Sequence, residues 1–279
     1  MVVVRRHRAG RVYDCVRCSG CGFHYVNPEP TGAELSAFYD AEYRDRHAEV
    51  WHGLEDSANR TVITSLRAFG IRSLTDLGAG QGRFVSMARA AGIDAVGVEP
   101  VAANVGEARR RYGLDLVPLS VAAYLASKPG SVECFTMLNV FEHLPDPVGV
   151  LRALHNALRR GGTILVIVPN VDFTLTLGAI RQRLGFDDVF MMESPRFSQQ
   201  GFDPPVHLSS FDSAHLRAAF ESAGLSVHTM RQAPVIATAS VLTHAAKHIV
   251  HGVGRLLDAL SPQPSHWGYS LLAIATGRG

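Results

Sequence analysis

Between Leu74 and Pro169, short apolar runs alternate with stretches in which apolar positions recur every three or four residues. The first pattern suits strands buried on both faces and the second amphipathic helices, so the alternation predicts a parallel sheet with crossover helices. Strands are expected near 73–77, 94–98, 114–118, 132–138 and 163–169, and helices near 82–91, 101–112, 120–127 and 147–158. The run "RRGGT", Arg159 to Thr163, supplies a glycine stop before the fifth strand. The fold class is therefore α/β, a doubly wound core.

After Pro169 the period lapses, and no clear pattern organises residues 170–210. A loop of that length inside a compact domain is usually a lid or binding segment. Regularity returns at Asp212, which can cap a helix ending at Gly224 before a further strand, and "GYSLLAIATGR" reads as the last strand. Between these two strands, across 235–262, Leu242, Ala246, Ile249, Val253, Leu256 and Leu260 fall at helical spacing. His244, His248, His251 and Arg255 form the opposite stripe. The apolar stripe can pack on the domain, or it can meet a membrane surface, a partner or a second subunit, as in a homodimer. The histidine stripe reads as a solvated face rather than a metal site.

The chain has 279 residues, 47% of them hydrophobic, enough for one large core. A net charge of +2 with 19% charged residues gives no broad basic field, which speaks against nucleic acid and for a small-molecule partner. The start "MVVVRRHRAGR" is the reverse of a signal peptide, and no window approaches a membrane span, so a cytoplasmic setting without stable membrane insertion is expected. Of four cysteines, three crowd into Cys15 to Cys21, which suits a metal knuckle or free thiols better than a disulfide framework.

The candidate chemistry starts at "LTDLGAGQGRFVSMARAAGIDAVGVEP". A dinucleotide fingerprint spaces its glycines G-x-G-x-x-G. Here Gly78, Gly80 and Gly82 read G-x-G-x-G, and Arg83 holds the third-glycine place. Asp76 sits at the carboxyl end of the first strand, where it opposes a pyrophosphate and suits a cationic group. Glu99 ends the second strand, where a carboxylate can accept hydrogen bonds from both hydroxyls of a ribose. The ligand these residues fit is a nucleoside with a cationic tail.

"DLGAGQG" with "VGVEP" resembles the first two motifs of class I S-adenosylmethionine-dependent methyltransferases. The likeness to their small-molecule branch continues through "MLNVFEHLPDPVGVLRALHNALRRGGTILVIVPN" and "PPVHLSSFDSAHLRAAFESAGLSV". It implies a seven-stranded, mostly parallel sheet in the order 3-2-1-4-5-7-6. It also implies a methyltransferase domain over 57–279 behind an N-terminal extension, 1–56, with a lid at 170–210 and a helical insertion at 235–262. By the same resemblance Gly78, Ala79, Gly80 and Gly82 lie beneath the methionine part of the cofactor. Asp76 faces its amino group, Glu99 with neighbouring Pro100 holds the ribose, and Asn139 lies near the methionine end. Many relatives place an acid after strand three to meet the adenine; here Ser120 stands at about that place, with the backbone around Val121.

Methyl transfer needs aligned partners and, for a hydroxyl or amine acceptor, removal of a proton. His143 in "FEHL" and His207 in "PPVHL" are the candidate bases, each with a structural reading as a loop residue. "DPPV" at Asp203 stands in the wrong place for the motif of amino-methylating nucleic-acid enzymes, which again favours a small acceptor such as a sugar, natural product or other metabolite. A non-catalytic scaffold that keeps the fold and a nicotinamide-dependent oxidoreductase are the rival readings.

Cys18-x-x-Cys21-Gly22 resembles one zinc knuckle, and "CGFHYVNPEP" resembles the second half of a zinc ribbon seen in some relatives. Structural zinc takes four ligands, so Cys15, His24 or His7 would have to complete the site. A metal-free remnant and an iron-sulfur cluster are the alternatives. In "TGAELSAFYDAEYRDRH", Tyr39 and Tyr43 lie on an expected helix that either packs on the core or covers the active site.

Overall fold

The computed structural model describes residues 2–8, 10–35, 37, 56–127, 131–183, 185, 205–235, 241–260 and 268–277. Tyr39, Tyr43, Asp203 and the middle of the expected lid lie outside these residues.

The chain opens with strands β1 (Val2–Arg8), β2 (Arg11–Arg17) and β3 (His24–Asn27), paired antiparallel. Helix α1 (Asp56–Ala68) then leads into an alternating series: β4 (Ser73–Leu77), α2 (Arg83–Ala90), β5 (Asp94–Val98) and α3 (Ala102–Tyr112). Next come α4 (Val121–Ser127), β6 (Val132–Leu138), a 3-10 turn at Phe141–His143, α5 (Pro147–Ala157) and β7 (Leu158–Pro169). The remainder is α6 (Val171–Arg183), β8 (Ser209–Ser210), α7 (Ser213–Ser222), β9 (Leu225–Gln232), α8 (Val241–Leu260) and β10 (Ser270–Gly277).

Six strands make the main sheet in the order β5-β4-β6-β7-β10-β9, with β10 antiparallel to both neighbours and the β5-β4-β6-β7 pairings parallel. This is the expected order from the second strand onward. The expected strand at 114–118 contributes a single parallel bridge, Val98 to Val117. The Leu119 amide, which would carry the ladder on, turns back to the Val117 carbonyl at 2.9 Å, so pairing stops after one residue.

Strand parity sorts the core into two faces. Leu165, Ile167, Leu272 and Ile274 meet α1, α2 and α3 through Val62, Leu66, Phe84, Val85 and Ala108. Ile164, Val166, Val168, Leu271 and Ala273 meet α4, α5 and α7 through Tyr124, Leu151, Leu154, Leu216 and Phe220. Each fully buried Val, Leu, Ile or Phe side chain among them contributes about 1.5–3 kcal/mol of burial free energy. The caps follow from sequence: Asp146 accepts from the Gly149 amide at 2.8 Å, with Pro147 opening α5, and Asp212 accepts from the His215 amide at 2.7 Å.

Three elements differ from the sequence reading. The glycines of "RRGGT" do not stop short of the strand: β7 starts at Leu158, and the pairing steps from Val132–Leu158 to Cys134–Thr163 across a bulge. Glu133 fastens that bulge, accepting from Arg159 Nη2 at 2.5 Å and from the Ser73 amide at 2.7 Å. The first third of the expected loop 170–210 is helix α6, whose first turn is held by Asn170 Oδ1 accepting from the Asp172 amide at 3.2 Å. The N-terminal extension is a sheet, and its fourth strand is β8 from beyond residue 200, pairing Tyr25 with Ser209 and His24 with Ser210.

Helix α8 turns its apolar stripe outward: Ile249, Val253, Leu256 and Leu260 are exposed, Leu260 to 78%, while Gly254 is buried. Asp258 holds the inner face by accepting from Gln232 Nε2 at 2.8 Å. The packing alternative for this stripe is thereby corrected, because glycine and the polar edge lie against the body. His244 falls among residues whose side chains are not described. Among the described residues, no helix is long and apolar enough to cross a membrane.

Candidate functional site

The carboxyl ends of β4, β5 and β6 define the site, since the sheet order makes these strands neighbours. The turn after β4 folds over the end of β5: the amides of Gly78 and Ala79 both donate to the Val98 carbonyl, at 2.8 and 2.9 Å. Gly78 takes φ +74, and a Cβ there would lie 2.5 Å from Val140 Cγ2, so side chains are excluded on both counts. Gly80 takes φ +53, yet nothing lies within 4 Å of where its Cβ would point. That open side makes the turn a candidate cradle. Gly82 caps the start of α2.

Two acids border the cradle. Asp76 is 3% exposed and accepts from Thr136 Oγ1 at 2.6 Å across the β4–β6 pairing. Burial pushes its carboxyl up to about 7, and the charge of Glu99 adds to the rise. Glu99, 5% exposed, ties the turn to α3: Oε2 accepts from the Gly80 amide at 2.9 Å, and Oε1 accepts from the Val101 amide at 3.0 Å and Asn104 Nδ2 at 3.1 Å. Burial raises its pKa as well, against those three donors. Two buried carboxyls so placed favour a ligand that brings positive charge and hydroxyl donors. The residues thus fit S-adenosylmethionine by the chemistry of the donor set and the open cradle.

Arg83, at the third-glycine place, works structurally. Its Nε donates to Asp56 Oδ1 at 2.9 Å, and its guanidinium lies 5.7 Å from the centre of the Tyr112 ring, tying α2 to α1 and α3. Pro100 is exposed beside Glu99. Ser120 Oγ accepts from the Ala123 amide at 3.2 Å, capping α4, while Val121 is buried in the core. Asn139 takes φ +55 at the end of β6 and donates its amide to the Ile167 carbonyl at 2.9 Å.

Beyond Asn139, the two candidate histidines come together although 63 residues separate their segments. Their ring centres lie 4.8 Å apart at 71°. His143 Nδ1 lies 2.9 Å from the Val206 carbonyl, and its Nε2 lies 3.9 Å from Glu142 Oε1. Burial pushes His143 down to about 4, so the ring is neutral at neutral pH, and pushes Glu142 up to about 8. Glu142 is 1% exposed, and neither of its oxygens has a hydrogen-bond donor among the described residues. Glu142, His143 and His207 each bring one ligand atom within 4.8 Å of the others. No other group of three or more such side chains gathers among the described residues.

That corrects the zinc expectation. The knuckle itself forms, for the amides of Cys21, Gly20 and Gly22 face the Cys18 sulfur and lower its pKa. Cys15 is turned away from it into a small core with Val171, where burial pushes the thiol up to about 12. His24 is also buried, at 3% exposure, and does not join Cys18 and Cys21 in a ligand group. Two sulfurs leave zinc half of the coordination a structural site takes.

Glu142, Thr136 and Asn104 are the site residues that sequence reading missed. Thr136 carried a signal, being a hydroxyl in the otherwise apolar stretch "CFTML". Glu142 carried one too, as an acid next to a candidate histidine.

Residues 37–230 match a family model described as a methyltransferase domain. The chain is 29% identical over 153 residues to a ubiquinone biosynthesis O-methyltransferase of Xanthomonas euvesicatoria, covering 53% of this chain and 62% of that one. It is 31% identical over 114 residues to the enzyme of the same name from Methylococcus capsulatus, covering 39% and 48%. The chain thus spans about half to three fifths of these relatives. A solved structure of the Burkholderia thailandensis 1,6-didemethyltoxoflavin-N1-methyltransferase, with its substrate and S-adenosylhomocysteine bound, covers 99% of this chain at 15% identity and a TM-score of 0.57.

Proposed function

Because the chain belongs to the methyltransferase domain family, we propose that it transfers the methyl group of S-adenosylmethionine to an oxygen of a small-molecule acceptor. The observation that carries the proposal is the pair of buried carboxyls, Asp76 and Glu99, on either side of the Gly78–Gly82 turn. When bound, the cofactor supplies a methyl group already activated on a sulfonium. The chain's residues hold and orient. Asp76 takes the amino group, and Glu99, beside Pro100, takes the ribose hydroxyls. The Gly78–Ala79–Gly80–Gly82 turn leaves room for the methionine part, with Asn139 at its end and the backbone of Ser120 and Val121 near the adenine.

The acceptor meets the His143–His207 side, where its proton is lost before or during transfer. The oxygen assignment follows the curated relatives, which are named O-methyltransferases. A net charge of +2 supports a small acceptor over nucleic acid. The N-terminal sheet, α6 and β8 form the acceptor wall, and the exposed stripe of α8 supports a homodimer.

Titration calorimetry tests the reading. Wild type binds S-adenosylmethionine, and Glu99→Ala weakens binding at least tenfold, since each charge-assisted hydrogen bond is worth about 1.5–3 kcal/mol. Absence of binding to wild type would overturn the proposal. Binding without S-adenosylhomocysteine formation on any acceptor would instead mark a scaffold.

A further inference from the structure

The acceptor-side cluster holds more than an acid–base pair requires. Glu142 is buried with both oxygens unpartnered among the described residues, although burying a carboxyl without a donor costs free energy. His143 Nε2 lies 3.9 Å from Glu142 Oε1, and His207 brings a ring nitrogen within 4.8 Å of both. The Val206 carbonyl, an acceptor only, lies 2.9 Å from His143 Nδ1, which places the ring proton on that nitrogen. Nε2 is then the lone-pair nitrogen, turned toward Glu142. A backbone carbonyl behind one ring nitrogen is how metal-ligating histidines are oriented. The Leu208 amide donates to the Glu142 carbonyl at 2.9 Å, which holds the segment carrying His207 against the 3-10 turn.

We propose that Glu142, His143 and His207 bind one divalent first-row transition ion, such as manganese, iron(II) or zinc, at the acceptor end of the cleft. One carboxylate and two imidazoles are a donor set that suits these ions and leaves positions open for an exogenous oxygen. Ligands about 2.1 Å from an ion stand roughly 3–3.5 Å from one another. The donor atoms here lie within 4.8 Å, so loading draws them together by about an ångström. The ion's role, unlike its binding, rests on the methyl-transfer reading: it lowers the pKa of an acceptor hydroxyl. The hydroxyl's proton passes to solvent. As the new oxygen–carbon bond forms, the sulfur–carbon bond breaks and sulfur keeps the electron pair.

The test uses the full chain carrying Cys18→Ser and Cys21→Ser, which removes the thiolates as competing ligands. After chelator treatment and dialysis it is titrated with manganese(II) chloride, and separately with zinc chloride, without cofactor. One equivalent binds, and Glu142→Gln and His207→Ala each weaken binding at least tenfold while S-adenosylmethionine affinity stays within about twofold. Should Glu142→Gln fail to fold, His207→Ala decides alone, and cobalt(II) absorption on the parent protein reports nitrogen and oxygen ligation independently. Absence of saturable binding, or equal binding by parent and variants, overturns the site. Loss of S-adenosylmethionine binding by the parent would instead strike the methyl-transfer reading and leave the metal site standing.

Discussion

Asp76 is a carboxyl that folding has taken out of water and left with one hydroxyl donor, Thr136. Its pKa of about 7 stands well above the ordinary carboxylate range, so the folded chain holds this proton more tightly than the unfolded chain does. In the cofactor-free protein, Asp76's contribution to stability therefore declines as pH rises from about 4 to about 7. A bound amino group reverses the preference, because it favours the carboxylate. S-adenosylmethionine affinity should rise by up to about tenfold per unit as pH climbs toward 7 and level off above it, and Asp76→Asn should flatten the profile. Calorimetry at about pH 6, 7 and 8 reads this, and a flat wild-type profile would contradict it. The acids were legible in the sequence because strand ends can be found from period and glycine. Thr136 and Glu142 carried a signal of type only, a hydroxyl among apolar residues and an acid beside a histidine; their place in the site was hidden, since which strand neighbours which, and which loop returns over the site, are tertiary facts.

The turn after β4 shows how an element divides its work between two glycines. At Gly78 a side chain would meet Val140 and also hold a left-handed conformation, which costs about 1–2 kcal/mol. Gly78→Ala is expected to lower Tm by about 3–8 °C and to disturb Asn139 through Val140. At Gly80 the conformational cost recurs, but the added methyl enters open space. Gly80→Ala should lose less stability and still lose S-adenosylmethionine affinity. Thermal melts beside calorimetry distinguish the two, and equal losses at both positions would refute the division. The alternation from 73 to 169 gave these elements away, as parallel strands must be apolar throughout. The N-terminal hairpin escaped because "VRRHRAGRVYDCVR" is rich in arginine and its last neighbour, β8, comes from the far end of the chain. Helix α6 escaped because Thr174 and Thr176 interrupt its apolar face, though Asn170 was a visible cap.

For the whole molecule, α8 is the surface that asks for company. Ile249, Val253, Leu256 and Leu260 follow a four-three-four spacing, the seam of a helix that packs against another helix. A second copy offering the same stripe would complete it across a two-fold axis. Sedimentation velocity should find a dimer, and Leu256→Asp should weaken it at least tenfold without lowering S-adenosylmethionine affinity; a wild-type monomer at all accessible concentrations would refute this. The strand β8 has a consequence of another kind. Ser209 and Ser210 are stitched to β3, and one residue earlier Leu208 hangs from Glu142. The front of the chain is thus riveted to the segment that carries His207, and strain applied to it has a short path to that ring. If the proposed reaction holds, a load on the outer edge of β1, a fused purification tag included, should alter turnover from a distance.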